Sequence, residues 1–249
     1  MSSQWGQQYR YAQLYSEPLP TERRGMLRPV LLIIAVVALI VGLLWFLFYG
    51  PGFGTIFRTG DAPTVSDRTV NLDLAGQQFF IPENYLRRRE HRRGGVVEQI
   101  EIQTVWPSLK GFSEDDADAF RDKTDISRII YMTLEVPKRL IRPAEVFHHV
   151  YPYFFSGPEA DGPYGLKTRP LDPNSGRADM DVYYSFDNGR FHMLHCLKIE
   201  NDLMPPDCFG DRVIEPKILA RYRFRRSMLN DWREIDAQLE QLLARFAGR

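Results

Sequence analysis

A run of twenty residues, Val30–Tyr49, reads VLLIIAVVALIVGLLWFLFY and contains no charge, Asn, Gln or Pro. No other stretch restricts the chain so tightly. As a helix rising ~1.5 Å per residue it spans ~30 Å, about the hydrocarbon thickness of a bilayer. A soluble core helix seldom lacks a polar face, and a cleaved signal segment is shorter and ends at small residues. Here Phe48-Tyr49-Gly50-Pro51-Gly52-Phe53 stands at that end instead. The run is therefore predicted to be an uncleaved transmembrane helix. Arg23, Arg24 and Arg28 precede it closely, whereas the first basic residue beyond it is Arg58. The positive-inside rule then keeps the N-terminus in the cytoplasm and exports the rest, with Trp45 and Tyr49 at the outer interface. The expectation is a single-pass inner-membrane protein with a periplasmic domain.

That topology divides the chain. Residues 1–29 read as a short cytoplasmic tail, either a disordered leader or a docking peptide whose Trp5, Tyr9, Tyr11 and Tyr15 find a groove on a cytoplasmic partner. Residues 30–49 cross the membrane, residues 50–66 are a Gly/Pro linker, and residues 67–249 are the periplasmic domain. Within the span, Ala38 and Gly42 have the small-xxx-small spacing that lets two helices approach, a face for helix–helix contact and homodimerisation. No ionisable residue lies in the span, which argues against a proton or ion path. Lys+Arg and Asp+Glu both number 32, so there is no whole-chain attraction to nucleic acid. An aromatic content of 13% argues that the exported part folds.

The domain reads as strands with few helices. Val70, Leu72 and Leu74 alternate with polar residues, Ala75-Gly76-Gln77 makes a turn, and Phe79-Phe80-Ile81 a second short strand. One long strand is predicted from Val96 to Trp106, with Val96, Ile100, Ile102 and Trp106 on one face. Residues 113–123 suggest a short helix opened by a Ser113/Asp116 capping box. A strand follows from Ile126 to Val136, and then a brief helix with Pro143 at its first position. Residues 156–178 read as a surface loop with one strand around 164–169. DMDVYYSF and RFHMLHCLKI flank Asp187-Asn188-Gly189, the pattern of a hairpin. A last strand covers about 217–225. Met228, Leu229, Trp232, Ile235, Leu239, Leu242, Leu243 and Phe246 recur at helical spacing over 228–247, and Asp231, Glu234, Asp236, Gln238, Glu240 and Arg245 occupy much of the remainder. The fold class is α+β: a mainly antiparallel sheet domain with a C-terminal amphipathic helix packed on the sheet.

Cys196 and Cys208 are the chain's two cysteines, and in an exported domain a disulfide is their expected state, joining the hairpin strand to the following loop. Metal binding by His192, His195 and Cys196 is not favoured, because strand geometry puts His195 on the opposite face from the other two. His148-His149 diverge on a helix, and Asp179 and Asp181 read as solvated carboxylates at a strand start. No metal or other cofactor is called for. The run Arg87, Arg88, Arg89, Arg92 and Arg93 is the most unusual local feature; if helical, it puts Arg88 and Arg92 on one face and Arg89 and Arg93 on another. It reads either as a solvated face paired with the acidic 114–122 helix or as a grip on an anionic partner, whether lipid, wall polymer or protein.

No G-x-S-x-G, P-loop, G-x-G-x-x-G, H-E-x-x-H or C-x-x-C pattern occurs. The reading is thus a non-catalytic accessory or assembly protein that sits in membrane lipid and binds another envelope protein. Two alternatives come from other classes. One is an envelope hydrolase whose cleft would gather His192 or His195 with Asp179 or Asp181. The other is a periplasmic ligand-sensing domain.

Overall fold

The computed structural model describes residues 27–49, 61–187, 189–198 and 205–249. The chain divides into two compact units, residues 1–59 and 60–249. In the first, helix α1 (Leu27–Tyr49) runs for 23 residues without an acidic residue in its first turn or a basic one in its last. Its large apolar side chains point outward all round: Leu31, Leu32, Ile33, Val37 and Leu39 are all exposed. Side-chain surroundings are described for residues 29–39 and 41 of this helix. Among the described residues no helix is long and apolar enough to cross a membrane. The surroundings of Gly42, the tail up to residue 26 and the linker residues 50–60 lie outside the described residues.

The second unit opens with β1 (Thr69–Leu74) and β2 (Gln77–Pro82), paired antiparallel. Ala75 and Gly76 join them with φ of 56° and 87°, the left-handed pair that a two-residue hairpin turn requires. The alternation read from Val70, Leu72 and Leu74 holds, since all three are buried. The predicted long strand is interrupted. Gly94 (φ 73°) and Gly95 (φ 96°) turn the chain so that β3 (Gly95–Val97) pairs parallel with β1. After Glu98 the chain re-enters as β4 (Gln99–Val105), which pairs antiparallel with β5 (Ile129–Glu135) in a different sheet. Val96 therefore does not share the buried face of Ile100 and Ile102. It is 85% exposed on β3.

The predicted helix at 113–123 shortens to α2 (Ala117–Arg121). Ser113 still receives the Asp116 amide at its Oγ and donates to the Asp116 carboxylate, as a capping pair would. Helix α3 (Pro143–His149) starts on its proline as expected. The 156–178 segment carries two short strands rather than one, β6 (Ala160–Asp161) and β7 (Lys167–Thr168). Strands β8 (Met180–Asp187) and β9 (Arg190–Leu197) form the predicted hairpin over eight residue pairs. Strand β10 (Asp207–Glu215), which the sequence pattern did not reveal, pairs with β11 (Ile218–Arg225). Helix α4 (Trp232–Phe246) closes the unit, preceded by a 3-10 segment at Arg226–Asp231.

The architecture is mixed α+β with a mainly antiparallel sheet. An eight-stranded sheet runs β4-β5-β11-β10-β9-β8-β7-β6, beside the small sheet β2-β1-β3. One core lies between the small sheet, the inner face of the large sheet and α4, joining Leu72, Phe79, Ile102, Met132, Ile235 and Leu239. The apolar stripe of α4 thus buries as its spacing implies. A second, aromatic cluster lies on the opposite face of the β8–β9 hairpin: Tyr151, Tyr184, Met193, Phe147 and Phe191, under α3.

Candidate binding cleft

Strands β9 and β10 carry the joint between two long hairpins. Among the described residues they pair at three positions only: Cys208 with Cys196, Phe209 with His195, and Gly210 with Leu194. The Cys196–Cys208 disulfide closes one end of this joint, with Cα atoms 4.0 Å apart. The expected disulfide is thus present, but it ties two neighbouring strands face to face rather than a strand to a loop. Beyond Leu194 and Gly210 the hairpins leave the ladder, and a cleft of about 440 Å3 lies there. Arg190–Met193 form one wall, Asp211–Val213 the other, with Arg142 and Pro143 of the α3 start at the rim.

Helix α4 supplies the polar floor. Asp236, expected on the solvated face, is 6% exposed. One carboxylate oxygen accepts from the Tyr222 hydroxyl at 3.0 Å, and the other from Arg212 and from His192 Nδ1 at 3.2 Å. Arg212 also reaches Glu240 at 2.9 Å, and Glu240 accepts Arg190 at 2.5 Å. Burial would raise the Asp236 pKa, but the hydrogen bond from His192 and the Arg212 charge outweigh it and hold the carboxyl below its ordinary range. Burial likewise opposes ionisation of Glu240, and Arg190 and Arg212 reverse the balance. Tyr222 is pushed well above its ordinary value by burial first and the Asp236 charge second.

Gly210 makes this floor possible. A Cβ there would lie 2.4 Å from the Tyr222 ring, so the absent side chain lets that ring cross β10 and meet Asp236. The signal for this network in the sequence was slight. A carboxylate between Ile235 and Leu239 falls beside the apolar stripe of a helix, and an Arg on β10 falls on the inward parity of Cys208 and Gly210.

The residues singled out in sequence go to different places. His192 is on the cleft, paired with Asp236 and edge-on to Trp232, with ring centroids 5.5 Å apart. His195 is on the other face, where it meets the Tyr151 hydroxyl and stacks on that ring. Burial, with the Arg177 charge adding to it, lowers its pKa to about 4. The pairing of either histidine with Asp179 or Asp181 does not occur. Asp181 instead takes Arg226 at 2.6 Å, and Asp179 is exposed. His148 and His149 are exposed, and no group of three or more metal-binding side chains converges among the described residues.

The arginine run is not an α-helix. A bend and turn at 87–90 lead into a 3-10 turn, His91–Arg93. Its partner is β4 rather than the acidic 114–122 segment. Arg88 Nε lies 2.6 Å from Glu101, and Arg87 3.4 Å from the same carboxylate. Arg92 donates to the carbonyls of Leu86 at 3.0 Å and Ala62 at 2.8 Å. Arg89 and Arg93 are exposed. On α1, Ala38 is exposed.

No protein-family model matches the sequence. No curated protein matches it either. Among solved structures, the chain is similar to an immunity protein of the Stenotrophomonas maltophilia type IV secretion system. The TM-score is 0.53 at 16% identity, over 76% of this chain and 97% of that one. It is also similar to the Neisseria meningitidis iron-regulated outer membrane lipoprotein FrpD, with a TM-score of 0.49 at 14% identity, over 78% of this chain and 98% of that one. At such identities the likeness is one of fold.

Proposed function

We propose that this is a membrane-anchored binding protein of the cell envelope. Helix α1 crosses the inner membrane at residues 30–49, residues 1–29 lie in the cytoplasm, and residues 50–66 tether a periplasmic domain, residues 67–249. That domain binds another envelope protein and performs no catalysis. The observation that carries the reading is the Cys196–Cys208 disulfide, since such bonds persist in oxidising compartments and are rare in the cytosol. The outward apolar side chains of α1 support it from the other side, because they need an apolar solvent. The immunity protein that shares the fold favours a protein partner, and an immunity role is the most specific form of this reading. Ala38 and Gly42 offer a face for a second copy of the helix. Of the arginine run, Arg89 and Arg93 remain for an anionic partner, because Arg87, Arg88 and Arg92 are engaged within the domain. A C-terminal alkaline phosphatase fusion should be active and a C-terminal cytoplasmic reporter silent. The reverse pattern would remove the exported placement.

One observation favours a second reading, that of an envelope hydrolase. His192 holds a carboxylate on Nδ1 at the wall of a cleft, the arrangement that orients an imidazole as a general base through its other nitrogen. Hydrolysis of ester, phosphodiester or glycan model substrates that disappears in His192→Ala would replace the binding reading with this one.

A further inference from the structure

We infer that the opening between the β8–β9 and β10–β11 hairpins is the partner-binding site and that it takes an extended, acidic segment of a protein partner. The inference rests on the binding reading above and gives it a place and a chemistry. Each hairpin pairs along its length, through eight residue pairs in one and eight in the other, the latter with a bulge between Val213 and Glu215. Across the joint, three positions pair. The inner edges at Arg190–Met193 and Asp211–Val213 therefore leave the ladder while facing one cleft. A strand edge free of its neighbour is a template for an added strand, in which main-chain hydrogen bonds give affinity and alternate side chains give specificity. The volume of about 440 Å3 falls within the range of pockets that hold ligands, ~300–1,000 Å3, and is far too large for a lone ion.

Charge sets the character of the occupant. Arg142, Arg190 and Arg212 line the cleft against Asp236 and Glu240. The third acid on the wall, Asp211, lies 3.1 Å from Arg221, which also pairs with Glu135 at 3.3 Å. Three arginines thus face three acids, and what distinguishes them is which are already engaged within the domain. Arg142, exposed at the rim, has no ion pair among the described residues, so a carboxylate can meet it without displacing an internal partner. Apolar surface adjoins these charges along the walls, at Phe191 and Val213. An extended segment that alternates acidic and apolar residues matches both features.

The test uses the full chain in detergent and two fluorescein-labelled hexapeptides, one alternating Val and Asp, the other Val and Lys. Fluorescence anisotropy should show the acidic peptide bound at least about tenfold more tightly, the size of effect that a close charge pair at an interface supplies. Arg142→Glu, a change at an exposed rim residue, should erase that preference. Hydrogen exchange with the acidic peptide bound should slow at 190–193 and 211–213. Equal binding of the two peptides, an unaltered preference in Arg142→Glu, or protection confined to other strands would overturn the inference. A silent phosphatase fusion alongside peptide binding would strike the envelope placement alone, and an active fusion without peptide binding would strike the cleft alone.

Discussion

His195 makes the domain sensitive to acid in a window that can be calculated. The ring is packed on Tyr151 and exposed to the Arg177 charge, with Asp211 further off on the Tyr151 side. Its pKa falls from 6.5 to about 4 because burial penalises the imidazolium and Arg177 repels it. The folded state thus keeps the ring neutral at a pH where the unfolded chain takes up a proton. Stability from this group is complete above pH 6.5, declines as pH falls toward 4, and changes no further below that. The gap amounts to about 3 kcal/mol in all, and to about 2 kcal/mol by pH 5. His195→Gln retains an acceptor for the Tyr151 hydroxyl and removes the titration. Urea unfolding of the full chain at pH 7.5, 6, 5 and 4.5 should give a slope for the wild type that is steeper than that of His195→Gln by this amount. His91 is also lowered by burial and contributes to both proteins alike, so it cancels in the difference. Parallel slopes for the two proteins would refute the reasoning, since they would mean that the ring is as easily protonated folded as unfolded.

Three further outcomes follow from the same joint. Gly210→Ala forces a Cβ into the Tyr222 ring and should cost ~1–3 kcal/mol, read as a lowered unfolding midpoint. Replacing both Cys196 and Cys208 by Ser should lower stability by ~3 kcal/mol in the chain-entropy model, and thiol labelling of the native wild type should find no free cysteine among the two. Asp236→Ala leaves Arg212, His192 and Tyr222 around an emptied buried site and should cost ~3–5 kcal/mol, whereas Glu234→Ala on the exposed side of the same helix should stay within ~0.5 kcal/mol.

Much of this architecture was legible where a single period governed a segment. The β8–β9 hairpin declared itself through two strand-like runs flanking Asn-Gly, and α4 through its stripe from Met228 to Phe246. Cys196 and Cys208 were legible from compartment chemistry alone. What was hidden had polar residues turned inward. In β10, Gly210 and Arg212 take inward positions, so the strand shows no apolar alternation even though Cys208 and Asp207 are buried. Asp236 looked like an ordinary polar helix residue because its partners, Arg212, His192 and Tyr222, come from three other strands. Val96 leaves the face its spacing implies for a different reason: two glycines at positive φ redirect the chain into another sheet just before a run that continues the apolar alternation. The arginines resembled a helical face in spacing, but Gly94 at φ 73° ends the turn after one 3-10 winding, and Glu101 on β4 draws two of them down onto the sheet.

The three-rung joint also bears on how force passes through the domain. A covalent bond clamps one corner of the seam between the hairpins, while the opposite corner is held by side-chain contacts, charged ones to α4 and aromatic ones to α3. Stiffness along β9 and β10 is therefore expected to be highest at Cys196 and Cys208. A pull on the β8–β9 tip would be resisted first by charged contacts such as Arg190 with Glu240, which weaken with added salt, and only later by the backbone rungs and the sulfur bridge. Resistance to such a pull is therefore expected to fall as ionic strength rises.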